Sequence, residues 1–244
     1  MTTNKFKSFT MAVFAFSTLL LGSCETLDLA SLANATSSGA LSSTTIGKGL
    51  KEALAKGVSS AVATLSKDGG FHKNPEYKIT IPKQLDDVSS TMRTLGMGSL
   101  VDIFEKKMNV AAEEASASAG PVFLDAIGEM SFDDAKKILY GNDTEATDYL
   151  KKHTSPKLKK LYAPIIEKNI RKVGVGKIYS DLMAKYDAIP LKSKPDFSLE
   201  NYVLDKSLDA MFKAIAKEEK NIRANPAART TDILKKVFAA AKKK

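Results

Sequence analysis

LENYVLDKSLDAMFKAIAKEEKNIR, residues 199–223, decides the fold class of this 244-residue chain. Leu204, Leu208, Met211, Ile215, Glu218 and Ile222 follow one another at spacings of four, three, four, three and four. Side chains three and four apart share one face of an α-helix, whereas a strand alternates every second residue. Ser198 stands where it can cap the run, and Asn225-Pro226 ends it, because proline cannot continue the hydrogen-bond ladder. Glu218 interrupts an apolar stripe and is therefore expected half-buried beside a partner.

The same period continues outward on both sides. Downstream, Thr231 to Ala241 forms a last helix with Ile233, Leu234, Val237 and Phe238. Upstream, Ile46, Leu50, Leu54, Val58, Val62 and Leu65 form a helix ending at Asp68-Gly69-Gly70. Leu85, Val88, Met92 and Leu95 form another, stopped by Gly96, and Met97–Ala119 is closed by Gly120-Pro121. Val122–Met130 and Phe132–Leu139 are shorter, the second with Ser131 and Asp134 placed as a capping box. Thr144–Lys152, Lys157–Val173 and Ile178–Lys185 complete the set, with Gly174-Val175-Gly176 breaking the helix between the last two. Only Tyr77–Ile81 alternates like a strand, and with no second run to pair with it reads as an extended loop. The expectation is an all-α protein, a single irregular multi-helix domain over residues 46–244. A folded part of roughly 190 residues buries about 70% of its unfolded surface and needs no cross-link.

The N-terminus has a different character. Residues 1–8 carry Lys5 and Lys7 and no acid, and an apolar run of thirteen follows from Phe9 to Leu21. A membrane span needs about 20 apolar residues, so this run fits the core of a signal peptide. Leu21-Gly22-Ser23-Cys24 then sets small residues before the chain's only cysteine and resembles the lipobox of bacterial lipoproteins. The resemblance implies a signal peptide over 1–23 and acylation of Cys24 as the first mature residue. Several acyl chains would hold it firmly to a membrane, each buried methylene contributing about 0.8 kcal/mol. Glu25, rather than Asp, follows the cysteine, which favours the outer membrane over the inner, with the domain facing the periplasm. Residues 24–45 are rich in Ser, Thr and Ala, contain no Lys or Arg, and read as a flexible tether.

The formal net charge is +9, from 37 Lys and Arg against 28 Asp and Glu. In a cytosolic chain this would raise nucleic acid, but the signal peptide and the lack of interleaved aromatics argue against such a partner. Lys151, Lys152, Lys157, Lys159 and Lys160 cluster, and Lys242–Lys244 end the chain, as either a solvated face or one drawn to anionic headgroups. One cysteine excludes a disulfide framework, and two histidines leave few ways to build a transition-metal centre. His72 and His153 lie in Lys-flanked polar segments and read as surface residues. Gly96-Met97-Gly98-Ser99-Leu100 lacks the last glycine of a nucleophile elbow, and Gly174-Val175-Gly176-Lys177 is followed by Ile178, not by a hydroxyl. Neither His-Glu-x-x-His nor Glu-x-x-His occurs, and the calcium-loop start Gly141–Glu145 does not continue. No catalytic residue and no cofactor are expected.

Two polar groups remain. Glu105, Asn109 and Glu113 stand at i, i+4 and i+8 beside the apolar arc of Leu100, Val101, Phe104, Met108, Ala111, Ala112 and Ala115. With Asp125 folding back, their oxygens could bind Ca²⁺ or Mg²⁺; alternatively they pair with Lys or Arg, or bond backbone freed at helix ends. Glu218, Glu219, Arg223, Asn225 and Arg229 form the second group. They read as a structural ion-pair network locking the last helix, or as an anion site built on Arg223 and Arg229.

Several phrases together carry a family resemblance. They are Gly70-Phe71 with Asn74-Pro75, Met108-Asn109 with Ala111-Ala112-Glu113, Pro121-Val122-Phe123, Tyr202-Val203 with Ala210-Met211-Phe212, and above all Ile222 to Thr231 with Leu234 to Phe238. From about Gly49 to Phe238 the chain resembles the bacterial family catalogued as domain of unknown function 4197. The resemblance implies a lipoprotein and brings no catalytic residues. Three functions follow as expectations: a non-enzymatic binding or structural module of the envelope, a carrier of an apolar ligand such as a lipid, or a metal-dependent enzyme using the acidic helix face.

Overall fold

α1 (Ser43–Ser66) begins where the Ser42 side chain accepts from the Thr45 N–H at 3.2 Å. Ser43, Thr44 and Thr45 therefore belong to a helical turn, not to a tether ending at residue 45. A Ser/Thr run is linker composition and capping signal at once, and the apolar period starts only at Ile46. The computed structural model describes residues 42–192 and 195–241. The expected signal peptide, Cys24, residues 24–41 of the tether and the terminal lysines lie outside the described residues.

Eight further helices follow: α2 (Asp86–Thr94), α3 (Gly98–Ser116), α4 (Gly120–Glu129), α5 (Phe132–Leu139), α6 (Glu145–Val173), α7 (Val175–Asp187), α8 (Leu199–Ala224) and α9 (Asp232–Ala241). Among the described residues there is no strand, so the fold is all-α. Tyr77 and Lys78 close a turn onto Asn74 O at 3.1 and 2.9 Å, and residues 79–81 follow as loop with no strand partner among the described residues. No described helix is long and apolar enough to cross a membrane.

Four long helices make the frame. α1 packs on α8, α8 on α6, α6 on α3 and α3 back on α1, closing a ring. Their stripes supply Leu50, Val58, Phe104, Met108, Leu158, Ile166, Leu208 and Ile215 to one continuous core. α2 and α7 cover α3, α4 and α5 cover α1 and α6, and α9 lies on α1. The last contact is close: a Cβ on Gly49 would stand 2.7 Å from Val237 Cγ2. Residues 40–244 form one self-contained compact unit.

The two helices expected at 144–152 and 157–173 are one. α6 runs unbroken with Pro156 and Pro164 inside it. Each proline removes a bond to the carbonyl four residues back, here those of Lys152 and Lys160. Both residues are exposed, so water can satisfy those oxygens. Meanwhile Leu150, Thr154, Leu158, Tyr162 and Ile166 remain buried on both sides of the prolines. Burial of one stripe outweighs the local break. Gly174, at φ 74°, ends α6 in the left-handed conformation that glycine adopts without strain, and α7 restarts at Val175, earlier than Ile178.

Candidate functional site

Buried polar side chains are few in this core, and two groups of them join distant segments. The first is on α3. Asn109 is fully buried; its Oδ1 accepts from the Ile79 N–H at 2.8 Å, and its Nδ2 donates to Ile79 O at 2.8 Å. One amide side chain thus stands in for a strand partner at Ile79. The same Nδ2 also donates to Glu105 O at 2.8 Å. One turn further, Glu113 Oε1 accepts from the consecutive N–H groups of Phe71 and His72, both at 3.0 Å. Glu105 forms an ion pair with Lys78. Three residues on one helix face therefore hold the loop between α1 and α2 at three points. Asp125 is exposed on α4 and does not join them. Among the described residues, no three His, Cys, Asp or Glu side chains come together to hold a metal ion.

The second group is on α8, and Glu219 is its centre. Oε1 accepts from Ala146 N at 3.0 Å and from Arg223 Nε and Nη2 at 3.0 and 2.8 Å. Oε2 accepts from Thr147 N at 2.9 Å and from Thr147 Oγ1 at 2.8 Å. Thr144, at the N-cap of α6, makes no side-chain cap bond. A carboxylate from another helix caps α6 instead, opposite the positive end of its dipole. Arg223 meanwhile donates to Ile138 O at 2.8 Å, at the negative C-terminal end of α5. An acid and a base one turn apart on α8 thereby fasten two helix ends of opposite sign.

Arg229, 5% exposed, does not pair with a carboxylate among the described residues. Its Nε donates to Ile222 O at 3.0 Å and its Nη2 to Arg223 O at 2.8 Å, satisfying the last carbonyls of α8. The Phe238 ring lies 5.9 Å from the Arg223 guanidinium and 5.6 Å from that of Arg229. Asn225 accepts from Ala227 N at 3.0 Å and turns the chain into a 3₁₀ turn, Pro226–Ala228. Glu218, expected to be the partnered acid, is half-buried with its Cβ facing Gly57. At 100° per residue Glu218 and Glu219 flank the stripe on opposite sides at similar angles. The one whose carboxylate finds partners, Glu219, is the one that is buried, 7% exposed.

Other polar residues brace the helices. Burial raises the Tyr162 pKa above the ordinary phenol value, and its hydroxyl reaches Ser116 Oγ at 3.4 Å. The Ser131 hydroxyl, and less so Tyr149, hold the Asp134 carboxyl below the usual range, within the capping box that opens α5. His72 is half-buried, and its Nδ1 has no hydrogen-bond partner.

With this geometry in place, comparison with known proteins gives a family. The profile described as "Protein of unknown function (DUF4197)" matches residues 40–239. The chain belongs to this family. No curated protein and no solved structure matches it. The DUF4197 match runs from before α1 into α9, so both polar groups lie within the family domain.

The chemistry open to this DUF4197 domain is set by what its acids already hold. A carboxylate offers about four lone-pair sites, and Glu219 fills its oxygens with five hydrogen bonds. No face is left for a substrate or a cation. The apolar cavity beside it, lined by Leu50, Leu54, Ile215, Ile222 and Phe238, measures about 20 Å³. That is room for about one water, and an acyl chain would enter only if helices parted. Sequence spacing could not reveal these roles, because the partners of Asn109 and Glu219 lie 30 and 72–73 residues away.

Proposed function

We propose that the chain is a lipoprotein of the cell envelope, held by acylated Cys24 and facing the periplasm, and that its domain is a non-enzymatic binding or structural module. The observation carrying the anchor is positional. The only cysteine follows Leu21-Gly22-Ser23 directly after a thirteen-residue apolar run with Lys5 and Lys7 ahead of it. Support for a non-enzymatic domain comes from Glu219, whose two carboxylate oxygens take five hydrogen bonds from helix-end groups and Arg223. A general base or metal ligand needs a free lone pair aimed at a pocket.

Mass spectrometry of protein extracted from the envelope is the test. It should find an N-terminal Cys24 carrying acyl chains, and Cys24→Ser should leave the membrane pellet in a high-salt wash that the parent withstands. An unmodified Cys24, or a variant that stays with the membrane through that wash like the parent, would overturn the anchor.

A further inference from the structure

The outer face of α6 carries a row of exposed lysines. Lys152, Lys157, Lys160 and Lys168 are all exposed. No carboxylate pairs with any of the four among the described residues. Of the other cations of this helix, Lys159 pairs with Asp205 at 2.7 Å, Lys172 with Glu114 at 2.7 Å and Arg171 with Glu167, while the Lys151 ammonium lies 5.9 Å from the Phe212 ring. At 100° and 1.5 Å per residue the four lysines occupy an arc of about 160° over about 24 Å of helix. Pro156 and Pro164 are exposed within that arc, and Leu161, 46% exposed, lies at its edge. Cations with apolar side chains between them, along one side of a helix, form a footprint complementary to a negatively charged, partly apolar surface.

We infer that this face of α6 lies on an anionic lipid surface, a contact separate from the acyl anchor. A lysine near such a surface is attracted to it within about a Debye length, so the contact weakens as salt rises. A single-stranded nucleic acid would exploit the same charge and would add the stacking of its bases on aromatic side chains. On this face the only ring among the exposed residues is His153, already stacked on Tyr149 at 4.3 Å. The proposal rests on the envelope reading only for which membrane is met in the cell. The contact itself needs no acylation.

The experiment uses residues 40–244, which form a self-contained unit and lack Cys24, so no acyl chain contributes. Vesicles of phosphatidylcholine alone are compared with vesicles of equal parts phosphatidylcholine and phosphatidylglycerol in a sedimentation assay. Binding is expected to the anionic vesicles only and to fall as salt is added. The quadruple variant Lys152→Gln, Lys157→Gln, Lys160→Gln and Lys168→Gln should lose at least about tenfold in affinity while melting like the parent. A control with Lys67, Lys83, Lys185 and Lys220 changed to Gln removes the same charge elsewhere and should keep most of the binding. Equal loss in both variants would reduce the effect to net charge and overturn the proposal. So would absence of vesicle binding, or retention of an RNA oligonucleotide in place of vesicles. Failure here leaves the Cys24 test untouched, because that test reads a covalent modification and an attachment that survives high salt.

Discussion

Replacing Glu219 with Ala probes the clamp that joins three helices. Truncation removes the acceptor from the amides of Ala146 and Thr147, which are 1% and 4% exposed, and from the Thr147 hydroxyl. A buried donor left unmatched costs about 1–3 kcal/mol. It also strands the Arg223 guanidinium, whose side chain is 11% exposed, without its counter-charge. Breaking one side of a buried pair costs about 3–5 kcal/mol. The two costs overlap, since both describe one removed carboxylate, so the expected loss is about 4 kcal/mol. For a domain of this size that lowers the melting temperature by roughly 8–16 °C. Urea denaturation followed by far-ultraviolet circular dichroism measures it, with an unchanged slope as the check that only stability has moved. Arg223→Leu and the double variant complete a cycle, in which a coupling of about 1–3 kcal/mol is expected. A loss below about 1 kcal/mol for Glu219→Ala, or strict additivity in the cycle, would refute the assignment of Glu219 as the cap of α6.

Asn109→Ala should cost about 2–4 kcal/mol, because it leaves both polar backbone groups of Ile79 unmatched in the core. Asn109→Asp should not rescue it, since it turns the donor that faces two carbonyls into an acceptor; denaturation midpoints of both variants check this. Alkaline titration should also weaken the fold. Burial lifts the Tyr162 pKa above its unfolded value of 10.0, so the stabilisation is complete below that pH and is lost as pH rises past it. While the buried hydroxyl stays protonated, its share of the slope is at most about 1.4 kcal/mol per pH unit, and Tyr162→Phe should flatten the dependence of the denaturation midpoint by that amount.

Local signals were legible and tertiary ones were not. The α8 stripe, the Ser198 cap and the Ser131–Asp134 capping box are written within a few consecutive residues, and each takes that form in the structure. The order of helices from Leu50 to Phe238 likewise follows from apolar period, because each amphipathic face must be buried against another. Pro156 misled for a physical reason: a break in the ladder is tolerated where the freed carbonyl meets water and the apolar stripe continues in phase. The roles of Glu219, Arg223 and Arg229 escaped because their partners are helix ends, and backbone groups leave no mark in composition. The charges were visible as an acid and a base one turn apart. That they bind amides and carbonyls of α5, α6 and α8 becomes visible only in three dimensions.

The central claim is that the buried acids hold backbone together and are not ligands for a cation. Thermal melting of residues 40–244 with increasing Ca²⁺ and, separately, Mg²⁺ tests it most directly, alongside Glu113→Gln. A cation bound only by the folded state would raise the transition by mass action. If the carboxylates are structural, the wild type melts at one temperature whatever the metal concentration, and Glu113→Gln melts lower by an amount that added metal does not change. A rise in the wild type with either cation that disappears in Glu113→Gln would contradict it.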